Sequence, residues 1–120
     1  MYILRHLAAV VLGYLVFGVS AFALFQITGR EPHEAASLGF MIGSTLYGMA
    51  FAALGGFVAA KIAPEGPILH AGAVMLLIEL LGFAALLARP SEAIWSQIAV
   101  MVLMAPSALA GGWMHKLSKA

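Results

Sequence analysis

The sequence predicts an all-α, transmembrane four-helix bundle that forms a single domain over residues 1–120. Three observations carry that expectation. Of the residues, 63% are apolar and only 9% charged, whereas a soluble domain is about half apolar and about a quarter charged. A chain this short cannot hide so much apolar surface within itself, so lipid is the expected solvent. The apolar residues also gather in four runs, each long enough for a helix to cross a hydrocarbon core, which takes about 20 residues. Short breaks rich in charge, Pro and Gly separate these runs. Lipid admits strands only as closed barrels of alternating pattern, so a strand reading is poor.

The first helix is expected over about 7–27. Arg5, an apolar run and then Ala21-Phe22-Ala23 also suggest a cleaved secretory leader, but the run continues to Ile27, which favours a span. Thr28-Gly29-Arg30-Glu31-Pro32 ends this helix and leads into the second, about 35–62, with Pro32 suited to a first turn. That stretch exceeds what a span requires, so it is expected to tilt or to begin in the headgroups. Ala63-Pro64-Glu65-Gly66-Pro67 reads as a tight turn in which Pro64 stops one helix and Pro67 opens the next, about 68–88. Arg89-Pro90-Ser91-Glu92 offers Ser91 as N-cap for the fourth, about 93–114. Pro106 should kink that helix, and the Ser107 hydroxyl is placed to take up a carbonyl the kink frees. Turns this short make successive helices antiparallel neighbours.

Charge gives the orientation. Arg5, Lys61, Lys116 and Lys119 fall on one side, and Arg30 and Arg89, diluted by Glu31, Glu34 and Glu92, on the other. The excess of Lys and Arg on the first side, four against two, predicts both termini in the cytoplasm, with insertion in both orientations as the competing outcome of so modest a bias. A net charge of +1 leaves no electrostatic footprint for nucleic acid. The absence of cysteine excludes disulfides, iron–sulfur ligation and thiol catalysis.

The two halves resemble each other. His6-Leu7-Ala8-Ala9-Val10 matches His70-Ala71-Gly72-Ala73-Val74, and the same offset pairs Gly18 with Gly82. Further on, Ala53-Leu54-Gly55-Gly56-Phe57 matches Leu109-Ala110-Gly111-Gly112-Trp113. Two duplicated hairpins would insert the same way up, as parallel repeats about an axis along the membrane normal. Coincidence in an apolar alphabet is the competing reading.

Small residues at four-residue spacing mark helix contacts, because helices in lipid associate by close backbone packing rather than by the hydrophobic effect. Gly39, Gly43, Gly48, Gly55 and Gly56 crowd the second helix, and Gly111 and Gly112 follow in the fourth. Two uses compete: packing within one bundle, and binding of another copy or another membrane subunit.

Glu79, midway along the third helix, is the one formal charge well inside a span. An ionised side chain there costs about 2.5–3.5 kcal/mol even on lenient scales, so the protonated acid is the expected form. Counted by helical rise, Tyr14 and Ser107 lie at similar depth, so Glu79, Tyr14 and Ser107 form a candidate intramembrane proton or hydrogen-bond cluster. A structural interhelical hydrogen bond, a proton or cation site and a subunit contact are the three uses such a carboxyl serves.

His6, His70 and His115 all fall near helix ends on the cytoplasmic side, with Glu65 beside them. None has the spacing of metal ligands on one helix turn, so polar anchoring at the interface is preferred to a metal site, and no cofactor is expected. No nucleophile motif, phosphate loop or carboxylate pair is present, and a non-enzymatic protein is expected.

The segment Gly55-Gly56-Phe57-Val58-Ala59-Ala60-Lys61-Ile62-Ala63-Pro64, followed by His70-Ala71, resembles small four-helix bacterial inner-membrane proteins of uncharacterised role. These share a Gly-Gly-aromatic-x-Ala-x-Lys/Arg end to helix two. The resemblance spans about a tenth of the chain and implies no activity. In size the chain is similar to the small multidrug resistance transporters. Those carry their essential glutamate in the first helix, where this sequence has none, so the similarity is one of dimensions. The expected role is thus an oligomerising or accessory membrane subunit whose partners are lipid and either itself or another membrane protein. A small proton-coupled transporter or ion-conducting oligomer using Glu79 is the alternative.

Overall fold

A computed structural model describes residues 2–29, 37–63, 65–88 and 95–118. All of its regular structure is helical. The long elements are α1 (Tyr2–Thr28), α2 (Leu38–Ile62) and α3 (Pro67–Ala88). A fourth helical run consists of α4 (Trp95–Ala99), a π-helical segment (Val100–Met104) and α5 (Ala105–Ser118). The chain is therefore the expected all-α four-helix bundle. The first three helices are long and apolar enough to cross a membrane. The bundle's long axis is 43 Å, close to the ~40–45 Å of a bilayer with its headgroups.

Local chemistry explains most helix ends. Gly29, at φ 71°, follows α1 in the left-handed conformation that glycine supplies without strain. Ser37 caps α2 by accepting from the Phe40 N–H at 3.2 Å. Gly66, at φ 60°, turns the chain into α3, which Pro67 opens as expected. The anticipated roles of Pro32, Pro64 and Ser91 lie outside the described residues.

Two ends differ from expectation. Helix α1 begins five residues before the predicted 7, because Arg5 and His6 do not interrupt the helix but find partners across the bundle. The Arg5 Nε donates to the Ile62 carbonyl at 2.8 Å, taking one of the carbonyls left over at the end of α2. The last helix continues to Ser118, four residues past the predicted 114. His115 is buried there and Lys116 lies over the Trp113 ring at 4.8 Å, so the amphipathic end stays helical.

The bundle is packed with its smallest residues inside. Ala9, Ala52, Ala59, Ala60, Ala71, Ala105 and Ala108 are buried, while Leu7, Leu15, Phe22, Leu46, Leu69, Leu76, Leu80 and Leu87 point outward. Water would punish that arrangement, whereas lipid is indifferent to which apolar groups it meets and leaves backbone proximity to decide the packing. Gly13 and Gly55 seat α1 against α2, each facing the other's carbonyl. Gly56 faces the Ala108 carbonyl and Gly111 that of Ala53, seating α2 against α5, and Gly112 meets Ala71 of α3. Gly48 accommodates the Met104 side chain. Gly39 and Gly43 differ: both are exposed, and a Cβ on either would touch nothing among the described residues. They pack against none of the described residues, because they lie roughly 120–180° round α2 from Gly48 and Gly55.

Buried hydroxyls are satisfied close by, as a medium without water demands. Ser20 donates to the Phe17 carbonyl at 2.7 Å, and the Ser20 carbonyl in turn accepts from the Tyr47 hydroxyl at 2.8 Å. That second bond ties α1 to α2.

The two sequence halves pack differently. A pseudo-two-fold arrangement would make the α2–α3 contact equivalent to one between α1 and α5, yet α2 touches α3 while α1 and α5 do not meet. Gly55 faces the preceding helix of its own half, whereas Gly111 faces α2, in the other half.

Candidate functional site

Glu79 sits on the flank of α3. Ala71, Val74, Ile78 and Gly82 form the buried stripe of that helix. Val74 comes up to Gly13 of α1, and Gly72 lies closest to Leu109 of α5. Glu79 is about 20° round the helix from Gly72 and about 140° from Val74. It therefore faces the fourth helical run and turns away from α1.

The Ala71–Gly112 and Gly72–Leu109 contacts set an antiparallel register between α3 and α5. Carried two turns along both helices, that register puts Glu79 level with the end of the π segment Val100–Met104. Here the backbone departs from α geometry. The Ala105 N–H reaches the Val100 carbonyl, five residues back. Pro106 has no N–H to offer Val102, four residues before it. Ser107 donates to the Leu103 carbonyl at 2.7 Å, the use of that hydroxyl expected beside Pro106. Helical segments of this kind are frequent at functional sites.

The candidate cluster is not assembled. Glu79 Oε1 is buried and, among the described residues, has no hydrogen-bond partner. The Ser107 hydroxyl is engaged by its own helix. Tyr14 packs against the hydrophobic core from α1, a helix that does not touch α5, and its ring lies alongside Gly18. Similar depth was the only basis for grouping the three, and helix rotation separates them. What remains is one carboxyl in an apolar wall, facing a distorted backbone.

The end of the bundle near residue 6 carries an arrangement the sequence reading did not single out. His6 Nδ1 and His70 Nε2 are 2.6 Å apart, and His70 Nδ1 is 2.8 Å from the Gly66 carbonyl. The ring planes lie within 17° of each other with centroids 4.7 Å apart. That separation is close to the N–N distance plus two ring radii, so the rings meet edge to edge rather than face to face. His115 does not join them. It is buried against Phe57 at 5.2 Å, edge to face, and its Nδ1 has no partner among the described residues. No group of three metal-ligating side chains forms among the described residues. The signal for the pair was in the sequence: His6 and His70 were matched positions in the two halves, near the same end of their helices.

A shallow apolar groove of about 480 Å³ runs along the outside of α5, lined by Pro106, Leu109, Ala110, Trp113 and Met114. Its lining is almost wholly apolar. No family model, curated protein or solved structure matches the chain.

Proposed function

We propose that this chain is a non-enzymatic membrane helix bundle that works as an oligomerising or accessory subunit. Its place is a bacterial inner membrane, with both termini in the cytoplasm. The observation that carries this reading is the distribution of side-chain size: alanines make up most of the buried apolar residues, beside Phe17, Val74, Ile78 and Met104, and large apolar side chains cover the outside. Such a bundle meets lipid and other membrane helices over nearly its whole surface and keeps little room for a reaction. The outer half of α2 is where a second copy fits best, since Gly39 and Gly43 let a neighbouring backbone come close and nothing among the described residues uses them. Light scattering on the protein in mild detergent tests this. The expected particle holds two or more chains, and Gly39→Ile with Gly43→Ile reduces it to one. A wild-type particle of a single chain overturns the reading.

A second reading rests on Glu79, whose Oε1 is buried without a partner. Intramembrane carboxyls of this kind mark proton and cation pathways, and the facing π segment supplies backbone able to respond to a change in charge. In proteoliposomes, proton flux that Glu79→Gln abolishes would support this role, and equal flux from both proteins would remove it.

A further inference from the structure

We propose that the groove along the outside of α5 is a lipid site that seats one acyl chain of an anionic phospholipid, with the headgroup phosphate against Lys116. The groove follows from the order of residue sizes on one face of α5. At about 100° per residue, Pro106 and Ala110 fall nearly in line along the helix, with Leu109 and Trp113 to one side and Met114 to the other. Two small residues make the floor and three large ones the walls. From Pro106 to Met114 the floor runs about 12 Å, most of the ~15 Å depth of one hydrocarbon leaflet.

The walls decide what fits. A second helix approaches where small residues let backbone meet backbone, and here Leu109, Trp113 and Met114 hold it off. A single hydrocarbon chain is narrow enough to lie on the floor between them. The almost wholly apolar lining suits such a chain and gives a polar ligand nothing to bind.

Charge selects the headgroup. The Ala71–Gly112 contact sets Lys116 level with Pro67 at the start of α3, so the wide end of the groove lies at the end of the bundle. The Lys116 ammonium lies 4.8 Å from the centre of the Trp113 ring. The ring holds the cation at the mouth of the groove without neutralising it. Among the described residues Lys116 forms no ion pair, and the Trp113 indole N–H has no acceptor. An unpaired cation and an unused donor, within one turn of an acyl-chain seat, match the phosphate and ester oxygens of a phospholipid. A zwitterionic headgroup brings its own cation to that phosphate, whereas an anionic one such as phosphatidylglycerol leaves its charge for Lys116.

The test uses the whole chain in lipid nanodiscs and reads quenching of Trp113 by brominated acyl chains. Trp95→Phe removes the other indole and keeps an aromatic ring against Phe40. In that background brominated phosphatidylglycerol is expected to associate about fivefold more strongly than brominated phosphatidylcholine, the factor one lysine supplies toward anionic lipid. Lys116→Gln, and Ala110→Leu, which fills the floor, should each abolish the preference; both positions are exposed, so the bundle keeps its packing. Lys61→Gln removes an exposed cation in the last turn of α2 and should leave the preference unchanged. Equal quenching by the two lipids before these changes, a preference that survives Lys116→Gln or Ala110→Leu, or its loss in Lys61→Gln overturns the proposal. Protection of Trp113 from both lipids would put protein in the groove and overturn it as well. None of these results depends on Glu79 or on association through Gly39 and Gly43.

Discussion

Gly56→Ala and Gly111→Ala are each expected to destabilise the bundle by about 3 kcal/mol or more, at the top of the range for overpacked interiors. The new methyl would fall on a backbone carbonyl, that of Ala108 for Gly56 and that of Ala53 for Gly111. A backbone cannot rotate aside as a side chain can, so relief requires α2 and α5 to separate. Separation also removes the dispersion contacts on which helix association in lipid depends. Two substitutions on the same helix give the internal control. Gly48→Ala presses on the Met104 thioether end, which can change rotamer, and should cost less than about 1.5 kcal/mol. Gly39→Ala faces open space and should stay within about 0.5 kcal/mol. Thermal unfolding of the four variants in one detergent reads the order. If Gly56→Ala melts with Gly39→Ala, the α2–α5 contact is not as close as described.

Glu79→Leu is expected to raise stability by about 1–3 kcal/mol, the cost of a buried polar atom without a partner. The side chain already stands among apolar groups with Oε1 unsatisfied, so an apolar side chain of similar reach removes a cost rather than a contact. Glu79→Gln keeps polar atoms in the same place and should change stability little. Most substitutions at partly buried positions destabilise, so a gain here would identify a residue held for something other than packing. A clear loss of stability in Glu79→Leu would show that the carboxyl makes a structural bond and would remove the basis for a proton site.

The four helical runs were legible because apolar stretches and their Pro- and Gly-rich breaks depend on composition alone, and three of the four are long and apolar enough to cross a membrane. Pro67 at the start of α3 and Gly29 after α1 followed from backbone rules that need no tertiary context. Relative level along the bundle was legible to about one turn, since rise per residue is fixed. Rotation about each helix axis was not, and the errors share that origin. Glu79, Tyr14 and Ser107 share no face, and the Gly13–Val74 and Ala71–Gly112 contacts set Tyr14 and Ser107 about one turn from the level of Glu79. Gly39 and Gly43 were grouped with Gly48 and Gly55, although counting roughly 100° per residue would have set them on the opposite side of α2. Pro106 pointed to disturbance in the last helix, but the π segment before it depends on how that helix meets its neighbours. The His6–His70 bond was half visible: the alignment of the two halves paired the residues, and only the fold could say that they touch.

Single-cysteine labelling tests the central claim, that these helices cross lipid, most directly. The chain has no cysteine, so Thr28→Cys and Glu65→Cys each carry one reactive thiol, at opposite ends of α2. In intact cells a membrane-impermeant maleimide should label Thr28→Cys at once and Glu65→Cys only after the membrane is opened. Equal labelling of both before the membrane is opened would place the two ends of α2 on the same side and contradict the account.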